Sequence, residues 1–532
     1  MAKKDTIIID TSTKGFSKAQ VYVEETFERH HVSASIAFET MQLFEALFGE
    51  IASQVGDEGV EIELSSTNSL GHAVIKMVFP GKRFSVTEGD VFTDPDAKII
   101  EAFSDKMSCS YRGGYNVIRI TLCKSARSFV LPNLIAIVAA LVLGIIFSFA
   151  LDEAGHDFIA LELIAPLQKL FTNAVLMIGA PMTLFSLLKN VTDSFIVSER
   201  HSSSGKLYIT AIVSSVVAIA LALVMGYVLA RWVLTVSVIT ESNDMGFANW
   251  SLSSAVDHII PSNILEPFQS ISPVPMIAVA LLIAVALCNI GKSFGAMKYA
   301  IDACYDLFSA ILGLVMASFP AAVFLLFLEV LMSDDGFARF MGLLLEAAVV
   351  FICTIPLLIT YALRLKARGV RVGEFARKLG PLVKENFLIG SVIDAVPYNT
   401  RYCAKVFGFS RERIEKELTV LAQTSLDGNC FILMLLSTIF IFISNCPVSW
   451  INIAVIALIV LFLSFGAPNQ PGSILIGMLM ILTYLNFSAA ISTALCFELF
   501  CGGLQNILNV ISSVVTVAER ESGEKPTTHQ AR

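Results

Sequence analysis

Residues 364–416 read RLKARGVRVGEFARKLGPLVKENFLIGSVIDAVPYNTRYCAKVFGFSRERIEK. An apolar stretch, about 379–404, lies in the middle of this segment and is interrupted by Asp394, Pro397 and Arg401. Basic residues crowd both of its ends: Arg364, Lys366, Arg368, Arg371, Arg377, Lys378 and Lys384 at the start, and Lys405, Arg411, Arg413 and Lys416 at the end. Because positive charge keeps membrane-flanking segments in the cytoplasm, both ends are expected on that side. The sequence therefore predicts a re-entrant hairpin.

A second apolar stretch, about 451–487, is broken in its middle by Ser464-Phe-Gly-Ala-Pro-Asn-Gln-Pro-Gly-Ser473. No Lys or Arg occurs between Glu417 and Glu519, so this break is predicted as the tip of a second hairpin that opens outward. Paired interruptions of this kind suggest an inverted repeat with a binding site near the membrane midplane. The alternative is two ordinary kinked spans in a membrane protein of any function.

The rest of the chain extends this reading to a multi-pass α-helical membrane protein. Hydrophobic residues make up 55% of the sequence, charged residues only 15%, and the mean hydropathy is +0.72. A spanning helix needs about 20 mostly apolar residues. Eight such runs lie near 130–150, 163–189, 207–235, 274–291, 303–332, 340–363, 417–444 and 489–517. We therefore predict eight transmembrane helices plus two re-entrant hairpins.

Charge also divides the chain into domains. Residues 1–125 carry 31 of its 82 charged side chains, and the first ten residues, MAKKDTIIID, lack the long apolar core of a signal peptide. We predict a cytosolic α/β domain over 1–125, a membrane domain over 128–520 and a cytosolic tail over 521–532. Lys124 and Arg127 before the first span, and Arg520 after the last, place both termini in the cytoplasm. The expected location is the plasma (inner) membrane.

Five short segments of the membrane domain then carry a resemblance. In chain order they are Ala180-Pro-Met-Thr-Leu-Phe-Ser-Leu-Leu188, Ile260-Pro-Ser-Asn263, Phe319-Pro-Ala-Ala-Val-Phe324, Ala404-Lys-Val-Phe-Gly-Phe-Ser410 and Ser425-Leu-Asp-Gly-Asn429. Over about 128–523 the chain resembles the dicarboxylate/amino acid:cation symporter family, which includes the glutamate transporters. The resemblance implies a homotrimer whose transport domain moves like an elevator against a fixed scaffold.

The resemblance also implies a cation site around an ionisable residue in an apolar helix. Asp427 matches the family's cation-binding Asp, and membrane carboxylates are costly enough to suggest function by default. Ser214 and Ser215 match a hydroxyl pair at the same site, while Ser425 replaces the family's Asn. The implied cation-binding set is Ser214, Ser215, Ser425, Asp427 and Asn509. Oxygen ligands suit Na⁺, and H⁺ is the other candidate coupling ion. For Asp427 the alternative is a helix-packing hydrogen bond.

The implied substrate-binding set departs further from the family. It comprises Ser391, Asp394, Asn429, Gly466, Gln505 and Asn509. Gln505 stands where the family has an Arg that grips a carboxylate, Gly502 where it has an Asp that holds an amino group, and a further cation-binding Asp falls near Ser513. Asp394 is open to a functional or a structural role. These losses argue against an acidic amino acid and favour a neutral, small or differently charged solute.

The N-terminal domain is similar in element order to the histidine-kinase-type ATPase fold, in its anti-sigma-factor branch. We expect helices over Val32–Val55 and Ala97–Lys106, and strands over Val60–Leu64, His72–Phe79 and Tyr115–Leu122. Gly49 stands in Glu45-Ala-Leu-Phe-Gly49 where that family binds the nucleotide's magnesium. Phe79-Pro-Gly-Lys-Arg-Phe84 lacks the adenine-binding Asp. The sequence thus gives no support for ATP binding and favours a degenerate version that binds a cytosolic protein. An unrelated α/β domain is the alternative.

Two functions remain open from the sequence. The first is cation-coupled symport of a small organic solute, such as a carboxylate or an amino acid. The second is a transport-inactive membrane sensor or regulator that signals through its cytosolic domain. No catalytic constellation, resident cofactor motif or nucleic-acid-binding patch is found, so the sequence predicts neither an enzyme nor a nucleic-acid partner. The predicted partners are a solute, the lipid bilayer and further copies of the chain.

Overall fold

The computed structural model divides the chain into two compact units, Met1–Arg127 and Ser128–Arg532. The residues that the structure describes are 6–29, 34–55, 60–69, 72–81, 107–112, 114–122, 130–150, 155, 158–200, 204–232, 259–269, 271–289, 294–332, 336–389, 392, 395–443, 450–467, 471–485 and 491–523.

The described residues of the N-terminal unit form a five-stranded antiparallel sheet and two helices. Its strand order is β1-β2-β3-β5-β4. The elements are β1 (Thr6–Ile9), α1 (Thr13–Arg29), α2 (Ala34–Val55), β2 (Ile62–Ser69), β3 (His72–Pro80), β4 (Met107–Arg112) and β5 (Tyr115–Leu122). The predicted helix over 32–55 corresponds to α2, and the strands predicted over 72–79 and 115–122 correspond to β3 and β5. The strand predicted over 60–64 only overlaps the start of β2, which continues to Ser69. The helix expected over Ala97–Lys106 lies outside the described residues.

The core of this unit follows from alternating apolar residues. Ile75, Met77 and Phe79 of β3 are spaced by two and are buried, as are Ile118 and Ile120 of β5. Successive strand residues point to opposite faces, so one sheet face becomes apolar. That face packs in one cluster with the apolar side of α2, which contributes Leu43, Phe44, Leu47 and Ile51.

Among the described residues of the second unit, the secondary structure is α-helical except for one π-helical turn, and short turns and loops connect the helices. A turn of π-helix at Ile159–Ile164 precedes α4. The α-helices are α3 (Val130–Ala150), α4 (Ala165–Arg200), α5 (Ser204–Trp232), α6 (Glu266–Gln269), α7 (Pro273–Asn289), α8 (Phe294–Met316), α9 (Phe319–Met332), α10 (Gly336–Cys353), α11 (Ile355–Ala367), α12 (Val372–Ile389), α13 (Val396–Val406), α14 (Arg411–Thr424), α15 (Asp427–Ile443), α16 (Trp450–Phe465), α17 (Ser473–Tyr484) and α18 (Ile491–Gly523).

Within the described residues, six helical segments are long and apolar enough to cross a membrane, by length and composition. They are Ile159–Asp193, Lys206–Leu229, Phe294–Met316, Gly336–Ala367, Glu417–Ile441 and Leu495–Ser522. The predicted total of eight spans stays a prediction. One predicted span, 303–332, is two helices, because α8 ends at Met316 and α9 begins at Phe319. Pro320 accounts for a fresh start there, since proline lacks the N–H of a continuing helix.

The predicted first hairpin coincides with α12 and α13, which run antiparallel. Asn386 and Asn399 exchange side-chain hydrogen bonds of 2.6 and 3.0 Å. Further from the tip, the hydroxyl of Tyr402 donates to the carbonyl of Lys378 at 2.7 Å. These hydrogen bonds, one set near the tip and one further from it, hold α12 and α13 side by side. The buried side-chain amides of Asn386 and Asn399 therefore have their partners within the helix pair.

The second predicted hairpin coincides with α16 and α17. Between them Gly466 and Ala467 form a bend, and Gly472 adopts a φ of +100° before α17 begins. A side chain is strained at such a φ, which explains glycine at that position. Apolar residues of α17 are buried almost throughout, so this helix is enclosed by protein along its length.

The apolar run at 417–444 also differs from a single predicted helix. It starts earlier, at Arg411, and is interrupted at Ser425 and Leu426 between α14 and α15. Ser425 has φ −93° and ψ +73°, which are not helical angles. Non-helical backbone at membrane depth is tolerated only where protein or a watery cavity surrounds it. Here Ser425 and Leu426 are fully buried. The break exposes the N-terminus of α15 inside the protein.

Candidate functional site

One face of α18 carries polar residues along most of its length. Their spacing alternates between four and three, which keeps them on a single side of an α-helix. These residues are Glu498, Gly502, Gln505, Asn509, Ser512, Thr516 and Glu519. All of them except Glu519 are buried, and Gly502 is the one position on this face without a polar side chain. The stripe faces the break before α15 and the start of α17.

Asp427, the first residue of α15, is fully buried and accepts hydrogen bonds from four hydroxyl groups. Its Oδ1 accepts from Ser215 at 2.9 Å. Its Oδ2 accepts from Ser214 at 2.5 Å, Ser512 at 2.6 Å and Tyr361 at 2.9 Å. These five residues, on α5, α11, α15 and α18, are called the Asp427 cluster below. The cluster gathers oxygen atoms from four helices around one carboxylate.

Two features lower the cost of this buried charge. A carboxylate without partners in a low-dielectric interior is strongly destabilising, and hydrogen bonds to the ionised form offset that cost. Asp427 has four such bonds. It also lies in the first turn of α15, where the unpaired backbone N–H groups of a helix favour negative charge. The burial of Asp427 is therefore compatible with an ionised side chain.

An arginine lies next to this cluster. Arg364 of α11 donates from Nη1 to the hydroxyl of Ser214 at 2.9 Å. Its Nε and Nη2 donate to the two carboxylate oxygens of Glu519 at 3.0 and 2.8 Å, and Nη2 also donates to Thr516 at 3.1 Å. The guanidinium is thereby fixed between the Asp427 cluster and the C-terminal part of the α18 polar face, at Thr516 and Glu519.

Asn509 joins the α15 break to α18 beside the cluster. Its Oδ1 accepts from the backbone N–H of Gly428 at 2.7 Å, and its Nδ2 donates to Oδ1 of Asn429 at 3.0 Å. A Cβ added at Gly428 would lie 2.2 Å from the carbonyl oxygen of Gln505. The two helices therefore meet at a distance that only glycine permits, and Asn509 satisfies a helix N-terminal donor that α15 leaves open.

At the other end of the stripe, Glu498 holds the start of α17. Its carboxylate is fully buried and accepts from the backbone N–H groups of Gly472 at 2.7 Å and Leu475 at 2.9 Å. Helix N-termini bind anions, and here the anion is a side chain of the same protein. Gln505 adds a hydrogen bond of 2.5 Å from Nε2 to Ser473, while its buried Oε1 has no hydrogen-bond partner among the residues that the structure describes.

Replacing Glu498 with alanine is expected to loosen the tip of α16–α17. The backbone donors of Gly472 and Leu475 would lose their acceptor, and an unsatisfied buried donor costs about 1–3 kcal/mol. Hydrogen–deuterium exchange of residues 472–475 should then accelerate by roughly tenfold or more, since about 1.4 kcal/mol is a factor of ten. Glu329→Ala removes a membrane-domain carboxylate that bonds Gln168 instead, and serves as the control. Unchanged exchange in Glu498→Ala would contradict the assignment.

The bend between α16 and α17 is also held by α4. Ser186 donates to the carbonyl of Ala467 at 3.2 Å, and Asn190 donates to the carbonyl of Phe465. A Cβ on Gly466 would lie 3.3 Å from Thr183 of α4. Two donors and a close backbone approach therefore seat this bend on α4.

The geometry can be compared with known proteins at this point. The model of the sodium:dicarboxylate symporter family matches residues 134–518. The chain belongs to this family. A comparison with curated proteins found no match to it.

Membership of a symporter family, together with the apolar helices, makes the chain an integral, multi-pass membrane protein that handles a small-molecule solute. The family is one of transporters, so the prediction that the chain is not an enzyme is confirmed. The match ends at residue 134 on its N-terminal side, so it gives no support to an ATPase-like N-terminal domain.

The structure brings most of the residues predicted for the site together. Ser214, Ser215 and Asp427 are in direct contact, and Ser425 joins them through a 2.8 Å hydrogen bond to Ser512. Asn509 contacts Gly428 and Asn429, which directly follow Asp427 in α15. Gln505 lies one turn before Asn509 on α18. Gly466 instead faces α4. Ser391 and Asp394 lie outside the described residues.

The sequence analysis missed Tyr361, Ser512, Arg364 and Glu498 as members of this region. For Ser512 and Glu498 a signal existed, because both fall on the polar stripe of α18. The family's later Asp falls near Ser513, but Ser513 bonds the backbone of Asn509 and Ser512 is the residue that reaches Asp427. Tyr361 and Arg364 reach the cluster from α11, and no sequence spacing predicts a contact between helices so far apart in the chain.

A narrow, mostly apolar cleft lies beside the site on the side of α13. It is bounded by the first hairpin, α14 and α18, through Val392, Val396, Asn399, Leu418, Ala422, Val510, Ser513 and Val514. Among the residues that the structure describes, no group of three or more His, Cys, Asp or Glu side chains is placed to hold a metal ion.

Proposed function

We propose that the chain is a secondary active transporter that couples the movement of a cation, Na⁺ or H⁺, to symport of a small organic solute. The observation that carries this proposal is the fully buried carboxylate of Asp427 with its four hydroxyl partners. A carboxylate inside a membrane domain is costly and is retained mainly where it serves a function. Reversible neutralisation by a cation is the function that fits a symporter.

The proposed cation-binding residues are Ser214, Ser215, Ser425, Asp427 and Asn509. Carboxylate, hydroxyl and amide oxygens are the ligands that hard cations such as Na⁺ prefer. Each hydroxyl that donates to Asp427 keeps lone pairs with which it can face a cation. Proton coupling would use the same carboxylate, which then carries H⁺ in one half of the cycle and is ionised in the other.

The proposed solute site lies beside the cation site, along Gln505, Asn509 and Asn429. Oε1 of Gln505 is a buried acceptor that finds no partner in the described part of the chain. A buried acceptor of this kind is unfavourable unless another group, such as a ligand, supplies a donor. Gly466, Ser391 and Asp394 complete the substrate set that the family resemblance implies, and for Gly466 the contact with α4 favours a role at the hairpin tip.

Within the carboxylate and amino acid class, the geometry favours a neutral solute. Gln505 offers an amide where the family has a guanidinium, and an amide supplies no positive charge for a solute carboxylate. Glu498 meanwhile occupies the N–H groups at the start of α17. A Cβ on Gly502 would lie 2.8 Å from Oε1 of Glu498, so this carboxylate fills the space above the position where the family has an Asp.

For the transport cycle we propose the elevator movement and the homotrimer that the family resemblance implies. Two hairpin-like helix pairs flank the site, and paired interrupted segments of this kind are typical of the binding sites of secondary transporters. The bend of α16–α17 is seated on α4, while the first hairpin borders the cleft. If both termini lie in the cytoplasm, as proposed from the charge pattern, α16 and α17 are the outer helix pair. Because their bend is seated on α4, we propose that the structure represents a state in which this outer pair is closed.

Uptake into liposomes containing the purified chain tests this function. Labelled neutral amino acids, acidic amino acids and dicarboxylates would be offered separately under a sodium gradient and under a proton gradient. We expect accumulation of a neutral solute above its bath concentration under one of the two gradients. Accumulation of acidic solutes only would contradict the solute assignment and leave symport standing.

A second candidate function is a sensor or regulator that no longer transports. The observation that favours it is Glu498, because the protein's own carboxylate holds α17 without any solute. Under this alternative, solute binding would be reported by the N-terminal unit, for which we propose a cytosolic protein partner. Solute binding to purified protein, with no uptake under either gradient, would favour the sensor.

A further inference from the structure

Arg364 is one hydroxyl group away from the buried carboxylate of Asp427. Its Nη1 donates to Oγ of Ser214 at 2.9 Å, and the same oxygen donates its hydrogen to Oδ2 of Asp427 at 2.5 Å. The three groups form a continuous chain from cation to hydroxyl to anion. A positive charge of the protein itself is thus bonded into the cluster that is proposed to bind a cation.

The position of Arg364 differs from that of its basic neighbours. Lys366 and Arg368 follow it on and just after α11 and are exposed, as expected of residues that interact with water and membrane surface. The Arg364 side chain is only 24% exposed and forms a bidentate pair with Glu519, which is 13% exposed. A bidentate pair of this kind fixes the plane of the guanidinium, so Arg364 is held towards the cluster.

The charge of Arg364 matters because the direct partners of Asp427 are neutral. Ser214, Ser215, Ser512 and Tyr361 donate hydrogens but carry no charge. Over the few ångströms of a single intervening hydroxyl, and away from bulk water, the guanidinium attracts the carboxylate. It repels a cation at the same carboxylate for the same reason. Arg364 also uses one of the two lone pairs of Ser214, which leaves a single lone pair on that oxygen for a cation.

We propose that Arg364 is the resident counter-charge of Asp427 and that a coupling cation binds this cluster in competition with it. The proposal deepens the proposed function, since it rests on the assignment of the Asp427 cluster as the cation site. It assigns Arg364 a role in setting cation affinity. Its removal should make the cluster bind Na⁺ more tightly, with no need for a change in the cluster itself.

The test measures sodium-dependent thermal stability of the full-length protein in detergent, with choline chloride keeping ionic strength constant. The variants are Arg364→Gln and the charge-balanced pair Arg364→Leu with Glu519→Gln. A ligand that binds only the folded state raises its stability in proportion to occupancy. We expect both variants to show half-maximal stabilisation at a Na⁺ concentration lower than wild type by roughly tenfold or more. Adding Asp427→Asn to either should abolish the gain.

Arg520→Leu is the matched control, because Arg520 is a basic residue of the same domain that pairs with a different carboxylate, Glu417, at 3.1 Å between α18 and α14. It should leave the sodium response at the wild-type level. The proposal is overturned if the folded Arg364 variants respond to sodium as wild type does, including no response in either. It is also overturned if the gain survives Asp427→Asn. The measurement is independent of uptake, so a chain that transports nothing could still pass it.

Discussion

Gly428→Ala is expected to unfold or strongly destabilise the membrane domain. The added Cβ would lie 2.2 Å from the carbonyl oxygen of Gln505 and 2.9 Å from Oδ1 of Asn509. A backbone carbonyl cannot rotate away as a side chain can, so α15 and α18 would have to separate where the Asp427 cluster is formed. Overpacking in a close-packed interior costs typically about 1–3 kcal/mol, and contact with backbone places this case at or above the upper end.

Thermal unfolding of the detergent-purified protein measures this effect. Gly342→Ala on α10 is the matched control, because a Cβ at Gly342 meets nothing within 4 Å. Alanine is also the better helix former, by about 1 kcal/mol, so the control should be neutral or slightly stabilising. Equal melting temperatures for Gly428→Ala and Gly342→Ala would show that α15 and α18 do not approach as described.

Asp427→Asn is expected to abolish gradient-driven uptake while the protein still folds. The amide has nearly the shape of the carboxylate, but it removes the negative charge and replaces an acceptor with an N–H₂ group that faces hydroxyl donors. A cation then has no opposite charge to bind, and a proton has no carboxylate to occupy. Accumulation in liposomes should fall by about a hundredfold or to background, whichever of Na⁺ and H⁺ is the coupling ion.

Glu329→Gln makes the same chemical change elsewhere in the membrane domain. Glu329 of α9 accepts a 2.8 Å hydrogen bond from Gln168 of α4, and neither residue belongs to the Asp427 cluster. Its uptake should remain within a few-fold of wild type. If Asp427→Asn accumulated solute as well as Glu329→Gln did, the Asp427 cluster would be a packing feature of α5, α11, α15 and α18, and the coupling site would lie elsewhere.

How much of the fold could be predicted is clearest at the first hairpin. The two basic ends of 379–404 indicated a segment that turns back, and α12 and α13 are antiparallel helices clamped by Asn386 and Asn399. That indication depends on charge, which acts on topology over long segments, and the re-entrant course in the membrane stays a prediction. The break between α8 and α9, and the one before α15, depend on Pro320 and on local backbone at Ser425. Hydropathy averaged over a span does not detect such local features.

The candidate site was partly predictable for a related reason. Asp427 stands out because a carboxylate in an apolar helix is costly, and Ser214, Ser215 and Asn509 follow from the order of family motifs. Arg364, in contrast, could not be recognised as a site residue from the sequence. In the sequence it is one of many cytoplasmic-side charges, and only the packing of α11 against α5 and α18 turns it towards Ser214.

The partners of Glu498 could not be predicted from the sequence either, for a chemical reason. Its burial could be expected from an apolar run, but its partners are backbone N–H groups of Gly472 and Leu475 on another helix. Backbone donors have no sequence signature. The loss of the family's acidic residue at Gly502 therefore suggests a missing function, whereas the structure places the carboxylate of Glu498 directly beside that glycine.

The most direct test of the central claim is solute accumulation by wild-type protein in liposomes, followed over time under an imposed cation gradient. The account predicts that internal solute rises above the bath concentration, and that an ionophore which collapses the gradient releases the excess. Internal solute that never exceeds the bath concentration under either a sodium or a proton gradient, while purified protein binds the same solute, would contradict cation-coupled transport by this chain.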